Sequence, residues 1–378
     1  MDYHERIIWL IFTVTIIYLT LKIYPTTILF SQPNKTEVLH NTKLGLDFSG
    51  HYTVGRGPKE PTKRSENYYD IKTVQSLGTQ CSTPVKLEVF TKEKTFQNQM
   101  FFIETSGRSK LSPRQACSVE SAAKVSNLHV QMILLSDTLD LTDNSTCYLY
   151  TSVSNINFYK LDLEKIYEDT PLHDLVQSNT FANSKYKATH QSDALRLALV
   201  YKYGGFYSDM DAVTIRDLSK FQNVIGAAKI NAMPATHFYL ANGEFQFEGK
   251  HQILWQTMQA FTELFTGNNR EEVGPMLITR TIKEHFHIEF VETINSETLT
   301  VLPVQAFYPV EWFEISKFWP VEPKSFKHWA TLFENSSMVH FYGSQTNVLV
   351  VERDPSHEAY AVLGPRYCPI SYWSADRF

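Results

Sequence analysis

Two carboxylates separated by a single residue form the group in this chain that is best suited to chemistry. Asp209 and Asp211 close the run YGGFYSDMD at 203–211. Side chains two residues apart at a strand end lie on the same side, so both carboxylates can face one crevice. Such an oxygen-rich pair suits Mg²⁺ or Mn²⁺ shared with a diphosphate. A bare Asp-x-Asp also occurs in solvated turns, so the interpretation depends on the elements that lead into it.

A predicted helix and a glycine turn lead directly into the acidic pair. The segment 187–203 has the period of an amphipathic helix, with one face formed by Ala194, Leu195, Ala198, Leu199 and Tyr203. Gly204 and Gly205 free the backbone at the helix end, and 206–208 then re-enter the sheet as a strand. Open α/β sheets bind ligands at the carboxyl ends of their strands, which is where this order of elements puts the pair.

The rest of the body predicts alternating strands and helices. Strands are expected at 100–105, 129–135 and 156–161, and helices at 112–126 and 163–169. The alternation predicts an α/β fold with a largely parallel sheet.

Composition excludes several classes of protein. The chain has 378 residues, 43% of them hydrophobic and 20% charged, and its 35 basic and 40 acidic side chains give a formal charge of −5. That balance is typical of a globular protein rather than a disordered, collagen-like or coiled-coil one. Because the chain has no large basic field, we expect no nucleic-acid partner. No Ser-His-Asp, Cys-x-x-Cys or Walker-type signature accompanies the acidic pair.

An apolar run near the start predicts a membrane anchor. The run Ile7 to Leu21 carries no charge, and a helix taken to Tyr24 and ended by Pro25 would be about 27 Å long, close to the thickness of a thin bilayer. Its aromatic residues suit the membrane interface. A cleaved signal peptide is the alternative, but the run lacks a small-x-small cleavage site.

Three glycosylation sequons favour a lumenal body behind this anchor. They begin at Asn34, Asn144 and Asn335. The chain is therefore expected to divide into a cytoplasmic tail at 1–6, the anchor at 7–24, a polar stem at 25–98 and a lumenal body at 99–378. In an oxidising compartment the four cysteines are expected to pair, and three connectivities remain open among Cys81, Cys117, Cys147 and Cys368.

Blocks along the body resemble the α1,4-glycosyltransferase family. In chain order they are FFIETSGR (101–108), ACSVESAA (116–123), LDLEKIYEDTPL (161–172), SDALRLALVYKYGGFYSDMD (192–211), NGEFQFE (242–248), GPMLITR (274–280), LPVQAFYPV (302–310) and RYCP (366–369). The resemblance covers nearly the whole lumenal body, and a short anchor with a stem is also what that family shows.

This resemblance implies a single Rossmann-like nucleotide-sugar transferase domain. It further implies a UDP-sugar donor, Mn²⁺ or alternatively Mg²⁺ at the acidic pair, and transfer with retention to a terminal galactose-type residue of a glycolipid. The expected location is the Golgi membrane, as a single-pass type II protein. A homodimer or a complex with other Golgi transferases is a further possibility.

The resemblance also implies roles for particular residues. Asp209 and Asp211 would hold the metal, with His340 as a third ligand through its imidazole. The donor-binding set would be Asp193, Arg196, Glu104, Thr105 and Tyr207. Asn242 and Glu244 would lie near the donor and acceptor sugars and are expected to act in catalysis with the acidic pair.

Each of these roles has a plainer alternative. Asp193 and Arg196, three residues apart on a helix, also fit a surface ion pair. Glu104 and Thr105 also fit the cap of a following helix, Asn242 to Glu244 a turn without chemistry, and His340 a structural histidine.

The chain departs from the family pattern at the GPML and HFYGSQ segments. Met276 stands where relatives commonly carry Gln, the run Glu271 to Val273 replaces a polar one, and Tyr342 stands where Trp is expected. These changes bear on acceptor contacts and donor selectivity and leave the acidic pair intact. Sequence alone places no carboxylate as a covalent nucleophile, so a front-face reaction is expected. A non-catalytic relative that retains the fold as a sugar-binding or partner protein is the competing hypothesis.

Overall fold

The computed structural model describes residues 83–229, 238–291, 294–322, 324, 326–351, 358–375 and 378. The expected tail and anchor, Asn34, Cys81 and most of the stem lie outside these residues. Within them, no helix combines the length and the apolar character needed to cross a bilayer.

The strands of the described residues are short and mostly buried. In chain order they are β1 Val85–Lys86, β2 Gln99–Glu104, β3 His129–Leu134, β4 Thr138–Leu139, β5 Ile156–Lys160, β6 Gly205–Ser208, β7 Ala212–Thr214, β8 Val224–Lys229, β9 Phe238–Phe247, β10 Thr300–Leu302 and β11 Met338–His340.

The α-helices pack against the strands and against one another. In chain order they are α1 Pro113–Val125, α2 Asn144–Ser152, α3 Leu163–Tyr167, α4 His173–Val176, α5 Asn179–Ala182, α6 Lys187–Tyr203, α7 Gln252–Leu264, α8 Pro275–Phe286, α9 Phe326–Leu332, α10 Gly343–Thr346, α11 Ala359–Tyr367 and α12 Pro369–Ser374. Short 3₁₀ helices occur at Lys92–Lys94, Val304–Ala306 and Trp312–Phe318.

Seven strands form the central sheet in the order β10-β8-β9-β6-β2-β3-β5. All neighbouring pairs are parallel except those of β9, which runs antiparallel to both β6 and β8. The prediction of an α/β fold with a largely parallel sheet is confirmed. The inserted antiparallel strand was not predicted.

Helix α6 begins and ends where the sequence predicted, but it is not amphipathic. Residues outside the expected apolar face are buried as well, including Asp193, Arg196, Leu197 and Val200. The reason is that α6 lies between the sheet and α7, so both sides of the helix are covered. A helix enclosed in this way can hold charged side chains only where they find partners.

The glycine turn after α6 has the predicted left-handed backbone. Gly204 has φ 65° and Gly205 has φ 120°. The side-chain amide of Gln99 donates to the carbonyls of Tyr203 and Gly204, at 3.2 and 3.0 Å. A Cβ on Gly205 would lie 2.8 Å from the carbonyl oxygen of Gln99, so only glycine allows β6 to start this close to β2.

The folded body starts before the expected boundary at residue 99. Strand β1 pairs with β4, and Leu87 and Phe90 are buried in the main core. The stem predicted at 25–98 therefore does not extend to residue 98, because its last part already packs on the sheet.

A second, smaller core joins the C-terminal segment to α1. Cys117 in α1 is bonded to Cys368 just before α12, and Cys147 is disulfide-bonded as well. Beside that bond, the fully buried Glu120 accepts hydrogen bonds from the backbone N–H groups of Ile370 and Ser371, at 3.0 and 2.7 Å. Burial raises the pKa of Glu120 to about 7, although these hydrogen bonds oppose the shift. The C-terminal segment, which follows the strand carrying His340, is thereby fixed to the N-terminal half of the body.

Candidate active site

A bulge in β9 creates the floor of the site. Ile225 of β8 pairs with Phe245, but the next residue, Gly226, pairs with Ala241, so Asn242, Gly243 and Glu244 have no partner in β8. Bulges of this kind bend a strand and re-aim its side chains. On the other side the register holds, since Ser208 pairs with Glu244 and the N–H of Asp209 donates to the carbonyl of Gly243 at 2.9 Å. These three residues therefore lie inside a strand, and the alternative of a simple turn is wrong.

The acidic pair lies in the turn between β6 and β7, at the carboxyl edge of the sheet as predicted. Strand β11 pairs antiparallel with β7 and sets His340 opposite Ala212, directly beside Asp211. The Nε2 of His340 is 3.0 Å from Oδ1 of Asp211. One ligand atom from each of Asp209, Asp211 and His340 falls within 4.8 Å of the others. The structure thus brings together all three residues expected to bind the metal.

Asp211 is oriented with one oxygen toward the protein and one toward this cluster. Its Oδ2 accepts the backbone N–H of Gly343 at 2.6 Å, whereas the buried Oδ1 has His340 as its polar neighbour among the described residues. Although burial opposes the shift, the imidazole of His340 lowers the pKa of Asp211 below its usual range. Burial also acts against the charged form of His340, but Asp211 and Glu244 raise the pKa of that imidazole to about 10. The cluster thus offers two carboxylates and an imidazole, and Oδ1 of Asp211 is not used by the backbone. This set of donor atoms fits Mn²⁺ or Mg²⁺.

Arg196 connects the helix to the acidic pair. Its guanidinium donates to the carbonyl of Asn242 at 2.7 Å and lies 3.2 Å from Oδ1 of Asp209 and 3.5 Å from Oδ1 of Asp193. Although burial opposes the charged form, these carboxylates raise the pKa of Arg196, which stays cationic. Because Asp193 and Arg196 are both buried, the alternative of a surface ion pair is wrong.

Asp193 and Asn242 form a polar pair at the base of the cleft. The side-chain amide of Asn242 donates to Oδ1 of Asp193 at 2.8 Å. Gly274 closes over them, since a Cβ there would lie 3.7 Å from the Asn242 amide and 3.8 Å from the second oxygen of Asp193. Burial raises the pKa of Asp193 to about 6 against the attraction of Arg196. Gly274 of the GPML segment is therefore in van der Waals range of both side chains.

Glu244 is the most deeply buried acid of the site. Neither of its oxygens has a hydrogen-bond partner among the described residues, and the nearest charged atom that the structure gives is Nε2 of His340, 3.7 Å from Oε1. Burial raises the pKa of Glu244 to about 8. The buried hydroxyl of Tyr308 lies beside Glu244, close enough to oppose this rise, although the two groups form no hydrogen bond of ordinary geometry.

The side chain of Tyr207 contacts Asp209 of the acidic pair. Its hydroxyl donates to Oδ1 of Asp209 at 2.6 Å, and the guanidinium of Arg196 lies over its ring at 4.7 Å from the centroid. The side chain is buried. It was expected to contact the donor, whereas the geometry makes it a support for Asp209.

The side chains of Glu104 and Thr105 form hydrogen bonds with backbone groups of the protein. The buried carboxylate of Glu104 accepts the backbone N–H groups of Ser106 and Arg108 at 3.1 and 2.9 Å, which shapes the loop after β2. The hydroxyl of Thr105 donates to the carbonyl of Ala188 in the first turn of α6 at 3.1 Å. Neither residue caps α1, whose cap is Ser112. Both fix the loop next to the acidic edge instead of extending toward a ligand.

A cavity opens between this loop and α10. It has a volume of about 310 Å³ and is lined by Arg108, Ser112, Arg114, Gln115, Asn347 and Leu349, among others. Gly343 separates Asn347 from the Asp211 side chain, because a Cβ on it would lie 3.2 Å from the first and 3.1 Å from the second. The cavity is therefore next to the cluster of Asp209, Asp211 and His340.

Sequence reasoning missed the structural parts played by Gly343 and Tyr308 and placed Tyr342 only as a family departure. Tyr342 has a left-handed backbone, φ 53°, and its hydroxyl donates to the carbonyl of Val310 at 2.9 Å. Its ring lies 4.5 Å from that of His340 and so helps to position it. Met276 is exposed at the first turn of α8, near Gly274. A glycine three residues after His340 was the available signal for the Asp211 contact, whereas nothing in the sequence marked Tyr308.

Comparison with known proteins agrees with this arrangement. Residues 112–231 match a glycosyltransferase sugar-binding region containing a DXD motif, and residues 246–375 match the alpha 1,4-glycosyltransferase conserved region. Lactosylceramide 4-alpha-galactosyltransferase of Rattus norvegicus is 31% identical over 85% of this chain and 84% of its own length. Human alpha-1,4-N-acetylglucosaminyltransferase is 32% identical over 59% of this chain and 66% of its own length.

The mixed α/β fold, the Asp-x-Asp turn at the edge of the central sheet and the matching sequence regions identify this protein as a glycosyltransferase. Within that class, the chain belongs to the α1,4-glycosyltransferase family. Among solved structures, the galactosyltransferase LgtC in complex with donor and acceptor sugar analogues aligns with 72% of this chain and 95% of its own at 13% identity, with a TM-score of 0.37.

Proposed function

We propose that this protein is an Mn²⁺-dependent, retaining α1,4-hexosyltransferase that moves a galactose or an N-acetylhexosamine from a UDP-sugar to a galactose-type residue of a glycolipid. The observation that supports this most is the meeting of Asp209, Asp211 and His340, which come from two separate strand ends, beside the bulge of β9. The names of the similar transferases supply the sugar chemistry. Mg²⁺ is the alternative cation.

We assign one group of residues to binding the cation and a second group to binding the donor sugar. A bound divalent cation would offset the negative charge that develops on a departing diphosphate. Asp209 and Asp211 would bind that cation, while Arg196 and Tyr207 keep Asp209 in place. Asp193 and Asn242, which already share a hydrogen bond, would accept and donate hydrogen bonds to the donor sugar.

The nucleotide would bind between the loop after β2 and the acidic turn. The cavity there is lined by Arg108 and Arg114 and adjoins Asp211 through Gly343. Glu104 and Thr105 would act on the donor indirectly, by fixing that loop. Because no carboxylate is set out in the open cleft as a nucleophile, we favour a front-face reaction in which the leaving diphosphate accepts the proton of the attacking hydroxyl.

The proposed location is the Golgi membrane, with the anchor at 7–24 and the body in the lumen. Asn144 and Asn335 are both exposed, as glycosylated residues must be. Glycosidase treatment should therefore lower the apparent mass, and Asn144→Gln and Asn335→Gln should each remove part of that shift. A homodimer or a complex with other Golgi transferases also belongs to the proposal.

The decisive experiment incubates the purified protein with UDP-galactose, UDP-N-acetylgalactosamine or UDP-N-acetylglucosamine, together with Mn²⁺ and a panel of neutral glycolipids. The expected product carries one added hexose in α1,4 linkage, identified by mass spectrometry and linkage analysis. Chelator should stop its formation. A folded protein that binds Mn²⁺ and UDP but neither transfers nor hydrolyses any UDP-sugar would support the non-catalytic alternative, a sugar-binding or partner protein.

The role of the anchor is tested separately. A glycolipid is confined to the bilayer, so a tethered transferase meets it at a high effective concentration. Deletion of residues 1–24 should leave transfer to a soluble oligosaccharide nearly unchanged and lower transfer to membrane glycolipid about tenfold or more. Equal activity of both forms on the membrane acceptor would favour a soluble or protein-linked glycan as the substrate.

A further inference from the structure

The carboxylate of Glu244 is buried without a close partner that would stabilise its charge. A charged side chain removed from water normally needs hydrogen bonds or an opposite charge. Neither oxygen of Glu244 has a hydrogen bond among the residues described. The guanidinium of Arg196 is directed to Ser192, Asp193, Asp209 and Asn242. The nearest positive charge is at Nε2 of His340, which lies closer to Asp211 than to Glu244, at 3.0 against 3.7 Å.

The acidic side chains around His340 differ in how deeply they are buried. The exposed fraction of the side chain is 31% for Asp209, 25% for Asp211, 10% for His340 and 0% for Glu244. Glu244 thus lies beneath the imidazole, on the protein side of the cluster, while the two aspartates face the cleft. The bulge of β9 is what brings it there, because in the normal register Glu244 would have a partner in β8.

Three buried oxygens at this point lack a hydrogen bond. They are Oδ1 of Asp211 and both oxygens of Glu244, and Nε2 of His340 is the nitrogen between the two residues. Two donors lie beside these oxygens: Nε2 of His340, 3.0 Å from Oδ1 of Asp211, and the hydroxyl of Tyr308 next to Glu244. Neither gives Glu244 a hydrogen bond of ordinary geometry. Buried carboxylate oxygens in this state beside an imidazole nitrogen are suitable surroundings for a cation.

We infer that Glu244 is a fourth protein ligand of the cation, added from beneath to Asp209, Asp211 and His340. A six-coordinate cation would then have two positions left for the diphosphate. With four protein ligands, three of them carboxylates, the protein retains its cation when no nucleotide is bound. The inference rests on the cation site of the proposed function and not on the reaction.

The test measures binding of Mn²⁺ alone, without donor or acceptor. The full-length protein in detergent is stripped with chelator and titrated with Mn²⁺, and free Mn²⁺ is followed by its electron paramagnetic resonance signal. Wild type should bind one Mn²⁺, and Glu244→Gln should bind it more than about 100-fold more weakly, a larger loss than removal of a residue that only orients a ligand. Glu248→Gln, the same change at an exposed position just after β9, should match wild type. UDP should narrow the difference, because its phosphates supply further ligands.

Two results would overturn the inference. One is wild-type Mn²⁺ affinity in folded Glu244→Gln, and the other is a wild type that binds Mn²⁺ only when UDP is present. The second result needs no variant, so it decides the matter even if Glu244→Gln fails to fold. Loss of glycolipid transfer in the earlier experiment would not affect either measurement, so the two proposals fail separately.

Discussion

The backbone N–H of Gly343 donates to Oδ2 of Asp211 at 2.6 Å, which leaves Oδ1 as the oxygen that faces His340. A residue 132 positions further along the chain therefore decides which oxygen of the aspartate is available. The same turn fixes His340 through Tyr342. The orientation of Asp211 and His340 thus depends on one short segment after β11.

Asp211→Asn should abolish metal-dependent transfer while the protein still folds. The amide oxygen of Asn can accept the N–H of Gly343, so the segment after β11 keeps its anchor, but the atom that faces the metal becomes an NH₂ group. We expect transfer to fall about a thousandfold, as for loss of a main electrostatic group. Rate assays and Mn²⁺ titrations would measure it, with the exposed Asp174→Asn as control. Turnover at the wild-type rate in the variant, or in chelator, would remove the acidic pair from the reaction.

Tyr207→Phe should weaken the hold on Asp209 without opening the core. The ring still packs under Arg196, but the hydroxyl contact to Oδ1 of Asp209 is lost. We expect a loss of about 1 kcal/mol in the free energy of unfolding and a similar effect on the barrier to transfer, which lowers the rate roughly fivefold. The Mn²⁺ concentration that gives half-maximal rate should rise. Tyr150→Phe, at an exposed position, is the matched control, and equal behaviour of the two variants would contradict a supporting role for Tyr207.

Arg196→Lys should be poorly tolerated although it keeps the charge. A single ammonium cannot contact Asp193, Asp209 and the carbonyl of Asn242 together, as the planar guanidinium does. Leaving a buried carboxylate without its partner costs about 3 kcal/mol or more. Thermal melting should therefore show a clear destabilisation, and transfer should fall steeply. The same exchange at Arg280, whose side chain is exposed and contacts only Glu284 among its charged neighbours in the described chain, should change neither quantity.

Stability should decrease as pH rises, in part because of Glu120. Burial raises the pKa of this carboxyl from 4.5 to about 7 in the folded protein, so the folded state binds the proton more tightly than the unfolded state. The contribution is complete below pH 4.5 and is lost as pH rises through 7, with a total of about 3 kcal/mol. Melting temperatures from pH 5 to 8 should fall less in Glu120→Gln than in wild type.

Comparing how steeply the melting temperature falls with pH in wild type and in Glu120→Gln separates the contribution of Glu120 from that of other titrating groups. Asp193 and Glu244 also have raised pKa values, so some pH dependence should remain in the variant. The absolute stability of Glu120→Gln is not informative, because the amide cannot accept all the hydrogen bonds from Ile370 and Ser371. An unchanged slope would show that Glu120 keeps its charge in the folded protein.

Local pattern predicted the parallel part of the fold well. Helix α6, the glycine turn and β6 follow from periodicity and from backbone conformations that only glycine adopts freely, both of which are properties of neighbouring residues. The antiparallel insertion of β9 and its bulge were not predictable, because pairing with β6 and β8 depends on residues far along the chain. The same is true of the helix faces, since what covers α6 is α7.

The candidate site was predicted as a set of residues but not as an arrangement. His340 came only from the family resemblance, because a single histidine carries no spacing signal. Glu244 and Tyr207 were expected to act on substrates, whereas the structure places one beneath His340 and the other behind Asp209. Burial decides such roles, and burial depends on packing that a local pattern does not contain.

The position of β11 in the chain has a consequence for biosynthesis. Asp209, Asp211 and the bulge of β9 emerge from the ribosome almost a hundred residues before His340, which at ordinary rates of synthesis is roughly 5 to 20 s. During that interval the central sheet is present without His340 and without Cys368, the partner of Cys117, 251 residues away. A chain stopped before Met338 would contain every strand of the seven-stranded sheet and still lack one of the three residues of the candidate metal site. Premature termination late in the coding sequence should therefore give a nascent body that engages the folding machinery of its compartment yet cannot be rescued by added Mn²⁺.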